Sequence, residues 1–423
     1  MCSSPVRSYL SDDGVSAWRM VLAGAVALAV AMGIGRFAFT PLWPLMLRDG
    51  TLDAARGAEW AAANYIGYLL GALTAARWGQ RPWQGLRWAL GGVAACTVLA
   101  GSLPAAALTL AGSALRLAAG VFSAWALVCA SAWCMGELAR RQAVGMAAWM
   151  YTGVGAGIAL TGLLAWLGGM QPARALWLEL GALAAAGAAF SLAQRPAAQV
   201  ARPSLAPPAP PAPPAPAAPA EPKGVGQQAR LGSPHGALVL CYGAFGFGYI
   251  VPATFLPAMA REQVAHPLVF GLTWPLFGAA AALSVALAAR ALGGWPRRRV
   301  WALAQGVMAL GTAVLLLSQA LWALALSAVL VGGTFMVATM AGLQLARELA
   351  PEHATRLLAR MTVAFAAGQI AGPLLVRALG SAGLSGPQAL WWSHALATAM
   401  LAATAAWLAR EAPAGHMDKD TET

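Results

Sequence analysis

Long apolar stretches restrict the fold of this 423-residue chain more than any other feature. About twelve windows of roughly 20 predominantly apolar residues follow one another, and each is long enough to cross the hydrocarbon core of a bilayer as a helix. The chain is 59% hydrophobic and only 10% charged, with a mean hydropathy of +0.64, outside the range of soluble domains. The alternating pattern of membrane β-strands is absent. We therefore predict an all-α integral membrane protein.

The predicted spans form two groups of six, on either side of a segment rich in proline and alanine, which we expect to be extended and unpacked. They lie near residues 20–42, 59–78, 86–108, 111–135, 143–168, 174–192, 237–260, 267–289, 300–317, 320–345, 357–379 and 387–408. The predicted organisation is an N-terminal tail at 1–19, a six-helix bundle at 20–194, a linker at 195–236, a second six-helix bundle at 237–409 and a C-terminal tail at 410–423.

The formal net charge of +12 invites a nucleic-acid partner, but the positions of the basic residues favour a membrane topology instead. About 20 of the 27 basic residues fall in alternate loops and at the two ends, whereas the opposite loops hold about six. Such an excess marks the cytoplasmic side of a membrane protein. We therefore expect no nucleic-acid partner, and we expect both termini and the linker in the cytoplasm. The many alanines and arginines, with few lysines, are consistent with a bacterial inner membrane.

The two halves of the chain resemble each other. The motif G-x-G followed by P-x-M begins both halves, at Gly33, Gly35, Pro44 and Met46 and again at Gly246, Gly248, Pro257 and Met259. A second match relates the fifth and eleventh spans, at Gly153 and Gly157 and at Gly368 and Gly372, with Pro373 following only in the second copy. Because each half crosses the membrane an even number of times, the repeats are parallel, and proteins of this kind place a site between their halves. The clear departure in the first repeat is that Arg36 becomes Tyr249.

Several segments are similar to the YbfB/YjiJ-type group of the major facilitator superfamily. They are residues 33–41, 246–257, 332–340 and 366–373. The resemblance covers the chain except for the linker and tails, and it implies twelve transmembrane helices in two pseudo-symmetric six-helix bundles. It also implies a secondary active transporter that moves a small organic solute by alternating access. The superfamily motif after the second span lacks its aspartate here, between Gly71 and Arg81, which puts a gate built on that aspartate in doubt.

Arg36 is the sharpest candidate for a functional residue. It lies about two-thirds of the way through the first span, where a charged side chain costs roughly 2.5–3.5 kcal/mol on insertion scales. The resemblance implies that the first, fourth, seventh and tenth helices line a central cavity, so Arg36 would face it. A guanidinium suits a carboxylate or another oxyanion, and a cavity with this one fixed charge favours a neutral or anionic solute. The alternative is a structural arginine that snorkels or locks helices together.

The other candidates are polar and aromatic residues in the same spans. Candidates for substrate binding or coupling, besides Arg36, are Thr40, Asn64, Tyr68, Trp125, Tyr242, Tyr249, Thr339 and Gln369. Candidates for a cytoplasmic gate are Arg77, Glu137, Arg140, Arg290 and Arg347. Candidates for helix kinks or close packing are Gly33, Gly35, Pro44, Gly153, Gly157, Gly246, Gly248, Pro257, Gly368, Gly372 and Pro373. For each side chain, ordinary packing or hydrogen bonding between helices is the alternative to a functional role.

Other functions remain as alternatives. An efflux antiporter for cationic or hydrophobic compounds is one, although the predicted cavity helices lack a clear acidic residue. A non-transporting sensor and a membrane-embedded transferase are others, but no catalytic set or phosphate-binding motif is visible, so we do not expect an enzyme. We expect no metal or cofactor, a small-molecule substrate, the lipid bilayer as surroundings and a monomer. A proton as coupling ion, import or export, and a partner for the linker stay open.

Overall fold

The computed structural model describes residues 9–79, 81–194, 234–264, 271–292, 294–350 and 354–410. Every regular element within these ranges is helical, as the sequence predicts. Residues 195–233 of the predicted linker (195–236) and the outer parts of both predicted tails, 1–8 and 411–423, lie outside the described residues, and the last three linker positions belong to a helix that begins at Pro234.

Apart from the long segment between α7 and α8, the helices follow one another with short connections. They are α1 (Tyr9–Leu28), α2 (Phe39–Arg48), α3 (Ala54–Thr74), α4 (Pro82–Ser102), α5 (Ala105–Arg140), α6 (Thr152–Leu167), α7 (Ala173–Ala193), α8 (Pro234–Gln263), α9 (Thr273–Ala291), α10 (Arg297–Leu317), α11 (Leu321–Leu349), α12 (Ala354–Ser381) and α13 (Gly386–Ala409). A π-helical turn, Ala29–Phe37, joins α1 to α2, and 3₁₀ turns occur at Ala75–Trp78 and Val144–Tyr151.

Capping residues and prolines fix where several helices begin. The Asp53 carboxylate accepts a hydrogen bond of 2.8 Å from the backbone N–H of Arg56 at the start of α3. Ser385 and Gln388 form a capping box at the start of α13. Pro82 lies in the first turn of α4, where its missing N–H costs nothing. The connections between spans are short, and short connections place consecutive spans antiparallel to each other.

Eight helices of the described residues are long and apolar enough to cross a membrane. They are Ala17–Arg48, Ala105–Arg140, Met146–Leu167, Ala173–Ala193, His235–Gln263, Arg297–Leu317, Leu321–Leu349 and Leu357–Ser381. The other four predicted spans are also helical, as α3, α4, α9 and α13. In α3, α4 and α13, polar and aromatic side chains such as Asn64 and His394 lower the mean hydropathy. The helix α9 is apolar over a shorter stretch, Thr273–Ala288.

The side chains are arranged as in a lipid-embedded protein. Large apolar residues point outward, including Leu110 at 87% exposure and Leu317 at 86%. Polar amides point inward, and Asn64, Gln305 and Gln369 are all fully buried. In lipid, polar side chains avoid the hydrocarbon by facing other helices. The interior is therefore the place to look for chemistry.

Contacts between helices mostly stay within the first seven helices or within the last six. In the first group α3 and α4 pack on α5, α4 packs on α7, and the π-helical turn packs on α6. In the second group α8 packs on α12, and α10 packs on α11 and α13. The main contacts between the groups are α6 with α9 and α3 with α12. We call residues 9–194 the first half and residues 234–410 the second half.

Glycines of the repeat allow close approaches between equivalent helices of the two halves. A Cβ on Gly33 would overlap the backbone of Gly157, where the first span crosses α6. A Cβ on Gly368 would overlap the Gly243 carbonyl oxygen, where α12 crosses α8. Small residues of this kind let helix backbones approach closely in a membrane. The other predicted packing glycines behave in the same way: Gly35, Gly153, Gly246, Gly248 and Gly372 each lack room for a Cβ beside a neighbouring helix.

We predict that Gly33→Ala lowers the free energy of unfolding by about 1–3 kcal/mol, because the added methyl group forces α6 away from the first span. The matched control is Gly91→Ala, also in the middle of a helix, where nothing lies within 4 Å of a new Cβ. That variant should be as stable as the parent or more so, since alanine favours helices. Equilibrium unfolding in mixed detergent micelles measures both, and equal stability of the two variants would contradict the prediction.

Candidate functional site

The Arg36 side chain leaves the first span from a π-helical turn. The prolines that follow predict a bend in the first span, and in the structure the helix is widened over Ala29–Phe37. Pro41 has no N–H to donate to the carbonyl four residues earlier, that of Phe37, so the α-helical ladder is interrupted at this point. Single widened turns of this kind occur often at functional sites. Arg36 is only 2% exposed.

A chain of hydrogen bonds links Arg36 to the second half. Nη2 of Arg36 donates to Oε1 of Gln369 on α12 at 2.5 Å. Nε2 of Gln369 in turn donates to the hydroxyl oxygen of Tyr249 on α8. The structure thus brings together three residues that the sequence singled out, and the two residues that occupy matching positions in the repeat, Arg36 and Tyr249, contact the same glutamine.

Aromatic rings enclose the Arg36 guanidinium. Its Cζ lies 3.8 Å from the centre of the Tyr68 ring, 5.4 Å from that of Tyr65 and 5.3 Å from that of Phe37. A cation over an aromatic face is stabilised by about 2 kcal/mol or more where water is excluded. Tyr68 was predicted as a site residue, and the geometry gives it the closest ring contact with the charge.

A second group of stacked rings lies beside Tyr249. Its ring stacks on those of Phe335 and Phe365, with centre-to-centre distances of 5.5 and 5.6 Å. Phe335 also meets Phe37 of the first half in an edge contact. The rings therefore form a continuous apolar wall that crosses between the halves next to Arg36.

The site has more hydrogen-bond donors than acceptors. Nε and Nη1 of Arg36 are buried and have no hydrogen-bond partner among the described residues. The indole N–H of Trp274, which packs near Phe37, is also buried without a hydrogen-bond partner among the described residues. A guanidinium has five N–H donors and does not lose its charge in proteins. An acceptor-rich, negatively charged ligand is the chemical complement of such a site.

A second buried arginine, Arg116 on α5, binds the backbone on which Arg36 lies. Its Nη1 donates to the Gly35 carbonyl oxygen at 3.1 Å, and its Nη2 donates to the Arg36 carbonyl oxygen at 2.9 Å. Asn64 donates to the Arg116 carbonyl oxygen at 2.8 Å. Arg116 thus binds carbonyl groups at the interrupted turn, and Asn64 holds α3 and α5 together. Arg116 was not among the predicted site residues, although a charged residue within an apolar span was the available signal.

The two buried guanidiniums lie apart from the carboxylates. None of the ion pairs between described residues includes Arg36 or Arg116. The one buried carboxylate among the described residues, Glu137, pairs with Arg140 and, at 2.8 Å, with Arg141 at the end of α5. The field at Arg36 is therefore set by positive charge.

The remaining predicted residues lie outside the Arg36–Gln369–Tyr249 chain, although Tyr242 contacts Phe365, one of the rings that stack on Tyr249. The indole N–H of Trp125 donates to Thr74 at 2.9 Å, and its ring lies 3.8 Å from the Arg77 guanidinium carbon. Tyr242 is buried against Phe245 and Trp301. Thr40 is buried, and the Thr339 hydroxyl donates to the Phe335 carbonyl oxygen at 2.8 Å. The Arg290 guanidinium carbon lies 5.9 Å from the centre of the Trp149 ring, across the halves, and Arg347 is exposed.

Further contacts join the halves on the side of Arg36 where α3 begins and α12 ends. The Tyr65 and Thr254 hydroxyl groups are 3.0 Å apart. The Glu59 carboxylate pairs with Arg377 at 4.0 Å, and both side chains are about half exposed. The sequence analysis did not identify these pairs, since residues so far apart in the chain meet only when the halves assemble.

Solved structures of membrane transporters share this fold. The D-xylose–proton symporter aligns with a TM-score of 0.71 at 14% identity, over 94% of this chain and 98% of that one. The nucleoside transporter NupG aligns with a TM-score of 0.68 at 13% identity, over 92% and 100%. The POT family transporter PepTSo aligns with a TM-score of 0.66 at 13% identity, over 93% and 97%. The chain therefore shares the fold of these solved membrane transporters.

The particular family follows from the sequence. The family described as "Uncharacterised MFS-type transporter YbfB" matches residues 28–410, and the chain belongs to this family. The resemblance seen in the four sequence segments is confirmed. No curated protein is similar enough in sequence to count as a relative.

We predict that Arg116→Leu lowers the free energy of unfolding by about 2–3 kcal/mol, since hydrogen bonds from a charged donor contribute about 1.5–3 kcal/mol each and some relaxation offsets the loss of two. Arg116→Lys should not restore stability, because an ammonium cannot bridge two carbonyl groups in the planar geometry of a guanidinium. Arg56→Leu, which removes an exposed arginine, is the control and should change stability by less than about 0.5 kcal/mol. A fully stable Arg116→Leu protein in an unfolding titration would contradict the structural role.

Proposed function

We propose that this protein is a secondary active transporter that moves a small organic anion across the cytoplasmic membrane by alternating access. The twelve helical segments would form two six-helix bundles, 20–194 and 237–409, with both termini in the cytoplasm. The observation that carries the proposal is the buried Arg36 guanidinium at the boundary of the two halves, with two N–H groups that have no partner among the described residues. Membership of a transporter family supports the mechanism.

The charge of the site supports an anion rather than a cation. Arg36 forms no ion pair among the described residues, so a ligand that supplies a carboxylate would supply the missing counter-charge. A cationic drug would meet a fixed positive charge instead, and like charges repel strongly where water is excluded. The aromatic wall of Tyr249, Phe335 and Phe365 would provide an apolar surface for the organic part of the anion.

A first experiment tests the anion site with three probe carboxylates: benzoate, lactate and succinate. The purified protein is tested by thermal shift, because a ligand that binds the folded state raises its apparent stability. Uptake of each labelled probe into proteoliposomes, with and without a pH gradient, then tests transport and the proton as coupling ion. A stabilising carboxylate whose uptake depends on the protein is the expected result.

We predict that Arg36→Gln weakens binding of the stabilising carboxylate about 30-fold or more, since loss of a buried hydrogen-bonded charge pair costs about 2 kcal/mol or more. Arg56→Gln, which removes an exposed arginine, is the control and should bind normally. If cationic or neutral compounds bind and Arg36→Gln binds them as well as the parent does, Arg36 is structural and the proposal is wrong.

We predict that Tyr68→Leu weakens binding of the same carboxylate about 5- to 30-fold, because loss of the ring that covers Arg36 removes about 1–2 kcal/mol of positioning. Tyr68→Phe keeps the ring and should bind within about two-fold of the parent. The comparison uses isothermal titration at one salt concentration. Equal loss in both variants would show that the Tyr68 hydroxyl, and not its ring, acts on the site.

A further inference from the structure

We propose that Gln369 is a latch that a substrate anion must displace from Arg36, and that the protein therefore exchanges anions much faster than it releases them without exchange. This inference rests on the proposed function, because it assigns the coupling step to the same site. We use the word latch for the chain Arg36–Gln369–Tyr249. Three observations support it: the position of the bond, the unpartnered donors beside it, and the lack of an ion pair for Arg36.

The first observation is that the latch crosses the boundary between the halves. Arg36 belongs to the first span, whereas Gln369 lies on α12 and Tyr249 on α8. Any motion that separates the halves at this level has to break the bond from Nη2 of Arg36 to Oε1 of Gln369. A bond from a charged donor is roughly twice as strong as one between neutral groups. The latch therefore stabilises the closed arrangement seen in the structure.

The second observation is that Gln369 satisfies only part of the guanidinium. Its single amide oxygen accepts from Nη2, while Nε and Nη1 remain without partners among the described residues. A carboxylate has two charged oxygens and can accept two parallel hydrogen bonds from one guanidinium. An anion that reaches Arg36 therefore outcompetes the amide. Gln369 keeps its hydrogen bond to Tyr249, which belongs to the same half, so the displaced amide still has a partner.

The third observation is that Arg36 forms no ion pair among the described residues. If the halves separated without a bound anion, a positive charge would lose its amide partner within a buried, low-dielectric region, which is strongly unfavourable. With an anion bound, the charge stays compensated. A ligand shifts a conformational equilibrium only through its different affinity for the two states. Here an anion binds more favourably to the separated state, because it replaces the amide partner that Arg36 has lost. The loaded protein should therefore change conformation far faster than the empty one.

The chain offers two matched controls. Gln305 is another fully buried glutamine, but it donates to the Cys241 carbonyl oxygen within the second half, at 3.2 Å. Thr254 bonds to Tyr65 across the halves, at 3.0 Å, without forming part of the latch. Gln305→Leu therefore tests loss of a buried amide, and Thr254→Val tests loss of a different bond between the halves.

A distance measurement without ligand tests the latch. Spin labels are placed on the full-length protein at Arg56→Cys and Ser381→Cys, two exposed positions near the Glu59–Arg377 pair, in a Cys2→Ser background. The cysteines that the structure describes are buried. We expect one narrow distance distribution in the parent and a second, longer distance in Gln369→Leu. Gln369→Glu should keep the short distance, because its carboxylate would pair with Arg36 permanently. Gln305→Leu and Thr254→Val should keep the parent distribution.

A flux measurement tests the exchange. Proteoliposomes are loaded with whichever labelled probe (benzoate, lactate or succinate) the protein transports, and efflux is compared with and without the unlabelled probe outside. We expect exchange at least about ten-fold faster than net efflux in the parent, a ratio near one in Gln369→Leu, and loss of both in Gln369→Glu. Parent distances in a folded Gln369→Leu protein, or equal exchange and net efflux in the parent, would overturn the latch. Failure of every probe to bind the parent would overturn the proposed function instead, since the distance measurement needs no ligand.

Discussion

The structure depends on one constraint: a guanidinium buried between helices in a lipid-embedded protein needs partners, because no water is available to solvate it. The Arg36 guanidinium has two partners: Tyr68 covers its face, and Gln369 accepts from one of its nitrogens. Arg116 binds the backbone carbonyl of Arg36 instead. Each of these contacts comes from a different helix, so together they fix how α3, α5 and α12 sit around the first span.

The π-helical turn in the first span and the second buried arginine, Arg116, are structurally linked. A π-helical turn changes the direction of the side chain relative to an α-helix and leaves backbone groups less regularly paired. Arg116 donates to two successive carbonyls of this turn, at Gly35 and Arg36. Arg116 therefore has a structural role, whereas Arg36 has donors at the boundary of the halves that find no partner in the part of the chain that the structure describes. The distinction between the two arginines comes from their partners, not from their burial, which is nearly equal.

The sequence predicted the helical class, the family and the interior position of Arg36 because each depends on local signals: apolar length, motif residues and the cost of a charge within a span. The repeat also pointed to Tyr249, which does lie next to Arg36 through Gln369. Arg116 was not predicted as a site residue, because it lies near one end of its span and resembles an interfacial charge. The Tyr65–Thr254 and Glu59–Arg377 pairs escaped for a different reason, because such contacts arise from how the halves meet and leave no pattern in either segment.

The contact between α6 and α9 has a mechanical consequence. At this crossing a Cβ on Gly155, Gly162 or Gly278 would overlap the opposing helix, so backbone meets backbone with few side chains interlocked. Side chains that interdigitate must change rotamer for one helix to slide past another, and smooth backbone surfaces need not. The α6–α9 crossing should therefore oppose relative sliding of the two halves less than the hydrogen-bonded contact at Arg36 does.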